Sequence, residues 1–319
     1  ALPILGMKAV FNDVDNQVPG SIRSFPYDSV LIGSSVAQNF DAEYLDEVYG
    51  CTTLKVIKPG AVLQDHIYHA NMAANSHSLK NVFWCLDLFA LDQGSEVTLF
   101  MQGASEYLYT DTVFDDVEYI FNKEILLEKI PAWIVSSRQE IYTGKDAYNW
   151  SKDKNFGTDY VLAHYGRYYQ TGDAIIELDP QEYRETVDFN IQSLVSFVKN
   201  HPDTEFYFLL PPYSMLWWDD SYVTGQSDMR FYELKEIFQS LVGLENAKVY
   251  FFMNHAEIVL NLDNYMDTIH YSPYVNQYML ECMGKGMNEV TEENALDLME
   301  DMRRLIERIE TEEIGKYYK

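Results

Sequence analysis

The chain carries the stretch Val30-Leu31-Ile32-Gly33-Ser34-Ser35 close to its start. Its apolar residues do not alternate with polar ones, which is typical of a strand buried on both faces of a parallel sheet. Ligands of open α/β sheets bind beyond the carboxyl ends of the strands, so a serine after this run is expected to face a ligand site. The neighbouring glycine permits a tight turn and a close approach of substrate. Alternatively, Ser34 or Ser35 only caps the next helix.

Three further runs have the same strand character as residues 28–33, namely 81–89, 205–210 and 247–253. Helical patterns lie between and after them, and one of the clearest begins with an N-cap and a first-turn proline at Asp179-Pro180. Strands that alternate with helices predict a single α/β domain over residues 1–319. Its expected architecture is a three-layer sandwich with a central parallel sheet.

The region from about 107 to 178 interrupts this alternation. It is rich in Tyr, Asp, Gly and Lys, contains a predicted helix around residues 123–135, and has few strand signals. We interpret it as an insertion or lid over the edge of the sheet.

Composition limits the classes of partner. The 319 residues include 23 basic and 50 acidic ones, and the formal net charge of −27 disfavours binding to nucleic acid or to anionic bilayers. The cysteines at positions 51, 85 and 282 have neither disulfide-framework nor zinc-site spacing. No run reaches the roughly 18 to 20 apolar residues of a membrane span. The sequence begins at Ala1 rather than Met, so an export signal or a membrane anchor could have preceded it, and this leaves the compartment open.

A second motif lies far along the chain, at Asp267-Thr268-Ile269-His270. Ser272 and Pro273 follow it and have the pattern of a helix start, so the motif is expected in the loop before that helix. A carboxylate three residues ahead of an imidazole in a turn can accept the Nδ1 proton and leave Nε2 free as a base. These two residues and a serine would complete a Ser/His/Asp group.

Taken together, the two motifs resemble those of the SGNH (GDSL-like) hydrolase superfamily, whose first motif is Gly-Asp-Ser and whose last is Asp-x-x-His. The likeness runs in order from about residue 28 to residue 287. Within the superfamily, the strand end at Phe208-Leu209-Leu210-Pro211-Pro212-Tyr213-Ser214 is similar to a bacterial extracytoplasmic branch related to polysaccharide O-acetylation and teichoic-acid alanylation proteins.

This resemblance implies a flavodoxin-like fold and a set of roles. Ser35 would be the nucleophile, His270 the general base and acid, and Asp267 the partner that orients the imidazole. No metal or organic cofactor is implied. The branch implies an extracytoplasmic protein that is often membrane-anchored and works beside a membrane-bound O-acyltransferase.

The same resemblance implies an oxyanion hole made by the backbone N–H groups of Ser35 and of a glycine after the second strand, for which Gly60 is the candidate. The third donor of the family is an Asn in a Gly-x-Asn-Asp segment. Here the chain departs from the pattern and reads Trp84-Cys85-Leu86-Asp87. Loss of one such donor costs about 3 kcal/mol of transition-state stabilisation. Asp87 is expected to border the site but not to hold the oxyanion, because an ionised carboxylate would repel it.

Other candidates have weaker patterns. Asp65, His66 and His69 have a spacing compatible with a metal, but we interpret the histidines as exposed residues of a helix. Tyr213 and Trp217, after the fourth predicted strand, are placed either to stack on a sugar ring or to pack beneath a lid. The possible substrate-binding residues are therefore Ser34, Asp87, Tyr213 and Trp217.

The sequence predicts a serine esterase or acyltransferase that acts on acyl, in particular acetyl, esters of carbohydrate or cell-envelope polymers. The alternative is a non-catalytic subunit of the same fold that binds polysaccharide or assembles with a membrane-bound O-acyltransferase. The missing Asn favours the alternative, whereas the joint presence of serine, histidine and aspartate favours the enzyme.

Overall fold

A computed structural model describes residues 11, 14–110, 112, 114, 117, 121–139, 148, 150–167 and 175–318. Its centre is a six-stranded sheet with the strand order β2-β1-β3-β4-β5-β6. The first five strands in this order run parallel, and β6 pairs antiparallel with β5 at one edge. The bounds of the strands are β1 Ser29–Gly33, β2 Thr53–Ile57, β3 Asn81–Cys85, β4 Glu205–Leu210, β5 Ala247–Phe251 and β6 Glu289–Val290.

Helices connect these strands and cover the sheet. Their bounds are α1 Val14–Ser24, α2 Ala42–Tyr49, α3 Leu63–Ser76, α4 Phe89–Asp92, α5 Ile130–Gln139, α6 Thr158–His164, α7 Pro180–Asn200, α8 Met215–Val223, α9 Ser227–Leu241, α10 Ala256–Val259, α11 Pro273–Gly284 and α12 Ala295–Arg308.

The two faces of the sheet follow from the strand order. The chain leaves β1 for the edge strand β2 through α2 and then returns past β1 to β3 through α3, so right-handed crossovers place α2 and α3 on opposite faces. Helices α3, α7 and α9 pack in a row on one face, while α11 packs against α2 on the other. The predicted three-layer α/β fold is therefore confirmed.

The sheet also shows which strand patterns could be recognised. The run 205–210 forms β4 with the predicted bounds, and β1, β3 and β5 lie within their predicted runs. The predicted strand 81–89 is too long, because the chain turns into α4 at Phe89. Strand β2 was not recognised because it is half exposed and contains Lys55, and β6 because two residues make no pattern.

The region that the sequence predicts to be an insertion, residues 107–178 (the inserted region), lies between α4 and α7. Its described part contains a helix that begins at residue 123, as predicted, and passes through a π-helical turn, Ile125–Lys129, into α5. This helix ends at Gln139, a few residues later than expected. Further along, a 3₁₀ turn at Trp150–Asp153 precedes α6. In the described residues of this region no strand joins the sheet. Of the described helices, none has both the length and the apolar character of a membrane span.

The end of β1 is a point of close approach between two strands. A Cβ added to Gly33 would lie 2.6 Å from the Cβ of Ala37 and 3.1 Å from the Cβ of Cys85. We expect Gly33→Ala to lower the free energy of unfolding by about 1 to 3 kcal/mol, because a packed core accommodates an extra carbon only through strain. Urea unfolding measures this change. The control is Gly20→Ala in α1, where a Cβ meets no atom within 4 Å, and where alanine is expected to be neutral or stabilising.

Candidate active site

Ser35 begins a 3₁₀ turn that directly follows β1. The turn is closed by two backbone hydrogen bonds, from Ala37 N to Ser34 O at 3.1 Å and from Gln38 N to Ser35 O at 3.2 Å. The first N–H groups of such a turn have no acceptor within it, so the N–H of Ser35 is oriented away from the turn. Because β1 is the strand at which the chain reverses its direction across the sheet, Ser35 lies at the crevice where open α/β sheets bind ligands.

Asp267 and His270 lie in a tightly closed loop ahead of α11. The loop is bridged by the backbone pair Tyr265 and Tyr271, and Met266 N donates to His270 O at 2.9 Å. Asp267 Oδ1 also accepts hydrogen bonds from the backbone N–H groups of Ile269 and His270, at 2.9 and 2.7 Å. The spacing of three residues thus lets one carboxylate shape the loop with one oxygen and face the imidazole with the other.

The three side chains form one hydrogen-bonded chain. Ser35 Oγ lies 2.7 Å from His270 Nε2, and His270 Nδ1 lies 2.7 Å from Asp267 Oδ2. A carboxylate only accepts, so Nδ1 carries the proton and Nε2 is left to accept from the serine hydroxyl. Burial alone would raise the pKa of Asp267, but the hydrogen bonds and charge of His270, with the two backbone N–H groups, outweigh it and hold this pKa below its usual value.

Hydrogen bonds to two neighbouring segments hold the histidine loop against the end of the sheet. From the segment after β4, Ser214 donates its N–H and its hydroxyl to Thr268 O, at 3.1 and 2.7 Å. Tyr265 donates its hydroxyl to Pro212 O of the same segment at 2.8 Å. From α11, Asn276 Nδ2 donates to Val36 O at 3.2 Å, which ties the loop's helix to the serine turn. These contacts bring together side chains that are 235 residues apart in sequence.

Gly60 lies in the turn after β2, as the resemblance implied. Its φ of +67° is in the left-handed region, which glycine adopts without strain. Lys58 N donates to Gly33 O at 3.2 Å, and this bond attaches the turn to the end of β1. Its role as an oxyanion donor stays a prediction.

Asp87 follows β3 and is fully buried next to the serine turn. Its Oδ1 accepts a hydrogen bond of 2.5 Å from the hydroxyl of Tyr213. Burial raises the pKa of Asp87 to about 6, and the polar groups of Tyr213 and Ser34 together with the charge of His270 offset only part of this effect.

This buried carboxyl should make the stability of the protein depend on pH. Between about pH 4, the usual pKa of an aspartate, and pH 6, the folded protein binds the Asp87 proton more tightly than the unfolded chain, so Asp87 lowers stability as pH rises through that window. We expect Asp87→Asn to remove this dependence. The difference in unfolding free energy between variant and wild type should grow by up to about 3 kcal/mol from pH 4 to 6 and then level off. Urea unfolding of both proteins across this pH range measures the difference, and a difference that does not change with pH would contradict the prediction.

The four predicted substrate-binding side chains are all buried. Ser34, Asp87 and Tyr213 are 0% exposed and Trp217 is 8% exposed. Trp217 packs against Tyr213, with ring centroids 4.6 Å apart, and under the guanidinium of Arg230. In this structure they pack beneath the site, and a contact of these side chains with substrate stays a prediction.

The interpretation of His66 and His69 as exposed is wrong. Each is 1% exposed in α3, and burial lowers the pKa of His66 to about 3 and that of His69 to about 4, so both are neutral near pH 7. Asp65 accepts hydrogen bonds from Thr98 N and Oγ and from Leu99 N, which ties the helix to the loop after α4. Among the described residues, no three His, Cys, Asp or Glu side chains cluster as metal ligands would.

Sequence reasoning missed Trp150. Its indole Nε1–H donates to Ser35 O at 2.9 Å, and its ring lies 5.2 Å from the His270 ring at an interplanar angle of 83°. Nothing in the local sequence separates this tryptophan from the other four, since only the folding of the inserted region brings it to the site.

No family model matches the sequence, and no curated protein matches it. Among solved structures, the chain is similar to a protein of Streptococcus pneumonia named as a candidate platelet activating factor. The TM-score is 0.41 and the identity 10%, over 85% of this chain and 91% of that chain. A likeness this distant assigns no function to the chain.

Proposed function

We propose that the protein is a serine esterase or acyltransferase. The observation that carries the proposal is the hydrogen-bonded chain from Asp267 through His270 to Ser35, with 2.7 Å at each link between side chains. Such a chain prepares a hydroxyl for attack on a carbonyl, because the imidazole accepts the proton that the hydroxyl loses.

The reaction divides into two steps. Ser35 Oγ attacks the acyl carbonyl carbon while its proton passes to His270 Nε2, and the N–H groups of Ser35 and Gly60 stabilise the resulting oxyanion. The bond to the alcohol then breaks, and His270 returns the proton to the departing oxygen, which leaves an acyl-serine. Water or a second hydroxyl then attacks this ester, again with loss of its proton to His270. The bond between the acyl carbon and Ser35 Oγ breaks, His270 returns the proton to Oγ, and the acyl group leaves on the incoming oxygen.

The nature of the substrate is a finer part of the proposal. The motif resemblance supports an acetyl ester of a carbohydrate or cell-envelope polymer, an extracytoplasmic location, and a membrane-bound O-acyltransferase as a partner. The strongly acidic composition supports neutral rather than phosphate-rich acceptors.

Covalent labelling tests the proposal. A fluorophosphonate reacts with an activated serine, so peptide mass spectrometry is expected to find the label on Ser35 of the wild type. His270→Gln should abolish labelling, whereas Ser193→Ala, which changes a hydroxyl on α7 that bonds only the helix backbone, should leave it unchanged. Absence of label on Ser35 in folded wild-type protein would contradict the proposal.

One observation favours the non-catalytic alternative. Leu86 is fully buried at the position where the SGNH superfamily, which the motifs resemble, has its Asn. This position therefore supplies no side-chain amide to an oxyanion. A chain that binds acetylated polysaccharide and shows neither labelling nor turnover would support the alternative.

A further inference from the structure

Trp150 connects the inserted region to the nucleophile. It lies 115 residues beyond Ser35, in the 3₁₀ turn Trp150–Asp153, yet its Nε1–H donates to Ser35 O at 2.9 Å. The same ring lies edge to face against the ring of His270. One side chain from outside the sheet therefore contacts both partners of the proton transfer.

The hydrogen bond acts on the backbone of the nucleophile. Ser35 O accepts from Trp150 Nε1 and also from Gln38 N, so both of its lone pairs are used. Two donors in different directions fix the orientation of the peptide unit that follows Ser35. Since that peptide is bonded to the Cα of Ser35, a change in its orientation moves Oγ, and a displacement of about 1 Å at a reacting atom is costly.

The position of Trp150 is in turn set by the histidine loop. Trp150 stacks on Phe156, with centroids 6.1 Å apart and ring planes inclined by 22°. Directly after Phe156, Gly157 N donates to Tyr265 O at 3.1 Å. Thr158 donates its N–H and its hydroxyl to Asp263 Oδ1, at 2.9 and 2.8 Å.

A second attachment lies at the end of α6. Arg167 forms a bidentate pair with the buried carboxylate of Asp219 in α8, with its closest contact at 2.8 Å, and Tyr165 donates its hydroxyl to the same carboxylate at 2.8 Å. The segment 150–167 is thus bonded to the core at both ends, and its first attachment is to the loop that carries Asp267 and His270.

We propose that Trp150 is a positioning residue for the nucleophile, held in place by the contact of Thr158 with Asp263, so that the inserted region completes the active site. This inference rests on the proposed function of Ser35. It assigns the segment 150–158 a role in the chemical step rather than in covering the sheet edge alone.

The first test removes the indole N–H and keeps an aromatic ring. Trp150→Phe is expected to lower kcat for an acetyl ester such as p-nitrophenyl acetate about five- to tenfold, the value of one neutral hydrogen bond, and to change KM less than twofold. The rate of fluorophosphonate labelling should fall in parallel, because it reports the placement of Ser35 without substrate binding. Trp133→Phe in α5 of the same inserted region is the matched control and should retain wild-type kinetics.

The second test measures the coupling between the two contacts. Asp263→Ala breaks the attachment of Thr158 at an exposed position and is expected to lower kcat severalfold. If Asp263 acts by placing Trp150, the double variant with Trp150→Phe should lose less than the product of the two single losses. Thermal unfolding of all variants identifies any that lose activity by losing structure.

The outcomes separate the two proposals. If the wild type is active and Trp150→Phe has an unchanged kcat, Trp150 does not position Ser35. If the loss of kcat in the double variant equals the product of the two single losses, Asp263 does not act through Trp150. Either result would overturn the inference about the inserted segment and leave the function of Ser35 intact. A wild type with neither turnover nor labelling would overturn the proposed function and the role of Trp150 with it.

Discussion

Replacing Ser35 by alanine is expected to lower kcat/KM for acyl esters by about a thousandfold or more, since loss of the nucleophile removes the covalent route altogether. The side chain is partly exposed and makes its side-chain hydrogen bond to His270, so its removal should leave the fold intact. Steady-state kinetics with p-nitrophenyl acetate measure the change.

Non-additivity supplies the control for this prediction. Residues that act as one unit lose little more together than singly. The pair Ser35→Ala and His270→Gln should therefore be no slower than Ser35→Ala alone. A further loss in the double variant would show that His270 acts on the substrate independently of Ser35, which contradicts the mechanism proposed above.

Replacing Asp267 by asparagine is expected to lower kcat about 10³- to 10⁴-fold near neutral pH, because the imidazole would take the wrong tautomer. Oδ1 of Asp267 accepts two backbone N–H groups, from Ile269 and His270, so the single oxygen of an asparagine would remain at that position. Its amide N–H₂ would then face Nδ1 of His270. Nδ1 would become the acceptor, the proton would move to Nε2, and Nε2 could no longer accept from Ser35.

The same variant has a structural readout. Since the loop keeps its two backbone hydrogen bonds, Asp267→Asn should unfold at nearly the wild-type temperature, whereas Asp267→Ala should lose stability as well as activity. The exposed change Asp203→Asn controls for the loss of one negative charge. An Asp267→Asn variant that keeps more than about a tenth of the wild-type kcat would contradict a role for Asp267 in orienting His270, for which the expected loss is about 10⁴-fold.

The elements nearest to the site were predictable because they depend on local chemistry. The apolar run that becomes β1 can be buried only in the middle of a sheet, and all five of its residues are buried. The Asp-x-x-His spacing closes its own loop through hydrogen bonds from Ile269 N and His270 N to Asp267. The Asp-x-x-His loop needs no distant residue, and the composition of the run alone indicates a strand buried on both faces, so the local sequence is sufficient to predict both.

The burial of individual side chains was less predictable from the sequence. His66 and His69 have polar neighbours in sequence, yet α3 turns both toward the core, because a helix buries whichever face meets the sheet. Tyr213 and Trp217 follow the end of β4, where ligands are expected, but the chain folds them inward beneath the site. The position of a residue along a strand indicates which edge of the sheet it lies near. It does not indicate whether its side chain is buried or faces the solvent.

The sequence by itself determined an α/β sandwich, a serine at the end of its first strand, and a loop in which a carboxylate orients an imidazole. Only the tertiary structure decided that Ser35 Oγ and His270 Nε2 lie within 2.7 Å, that Asp87 is buried beside them, and that Trp150 bonds the nucleophile's carbonyl. The physical reason is how far apart in sequence the interacting residues lie. Hydrogen bonds within a loop follow from the spacing of its residues, whereas contacts across 115 or 235 residues depend on how helices and the inserted region pack around the whole sheet.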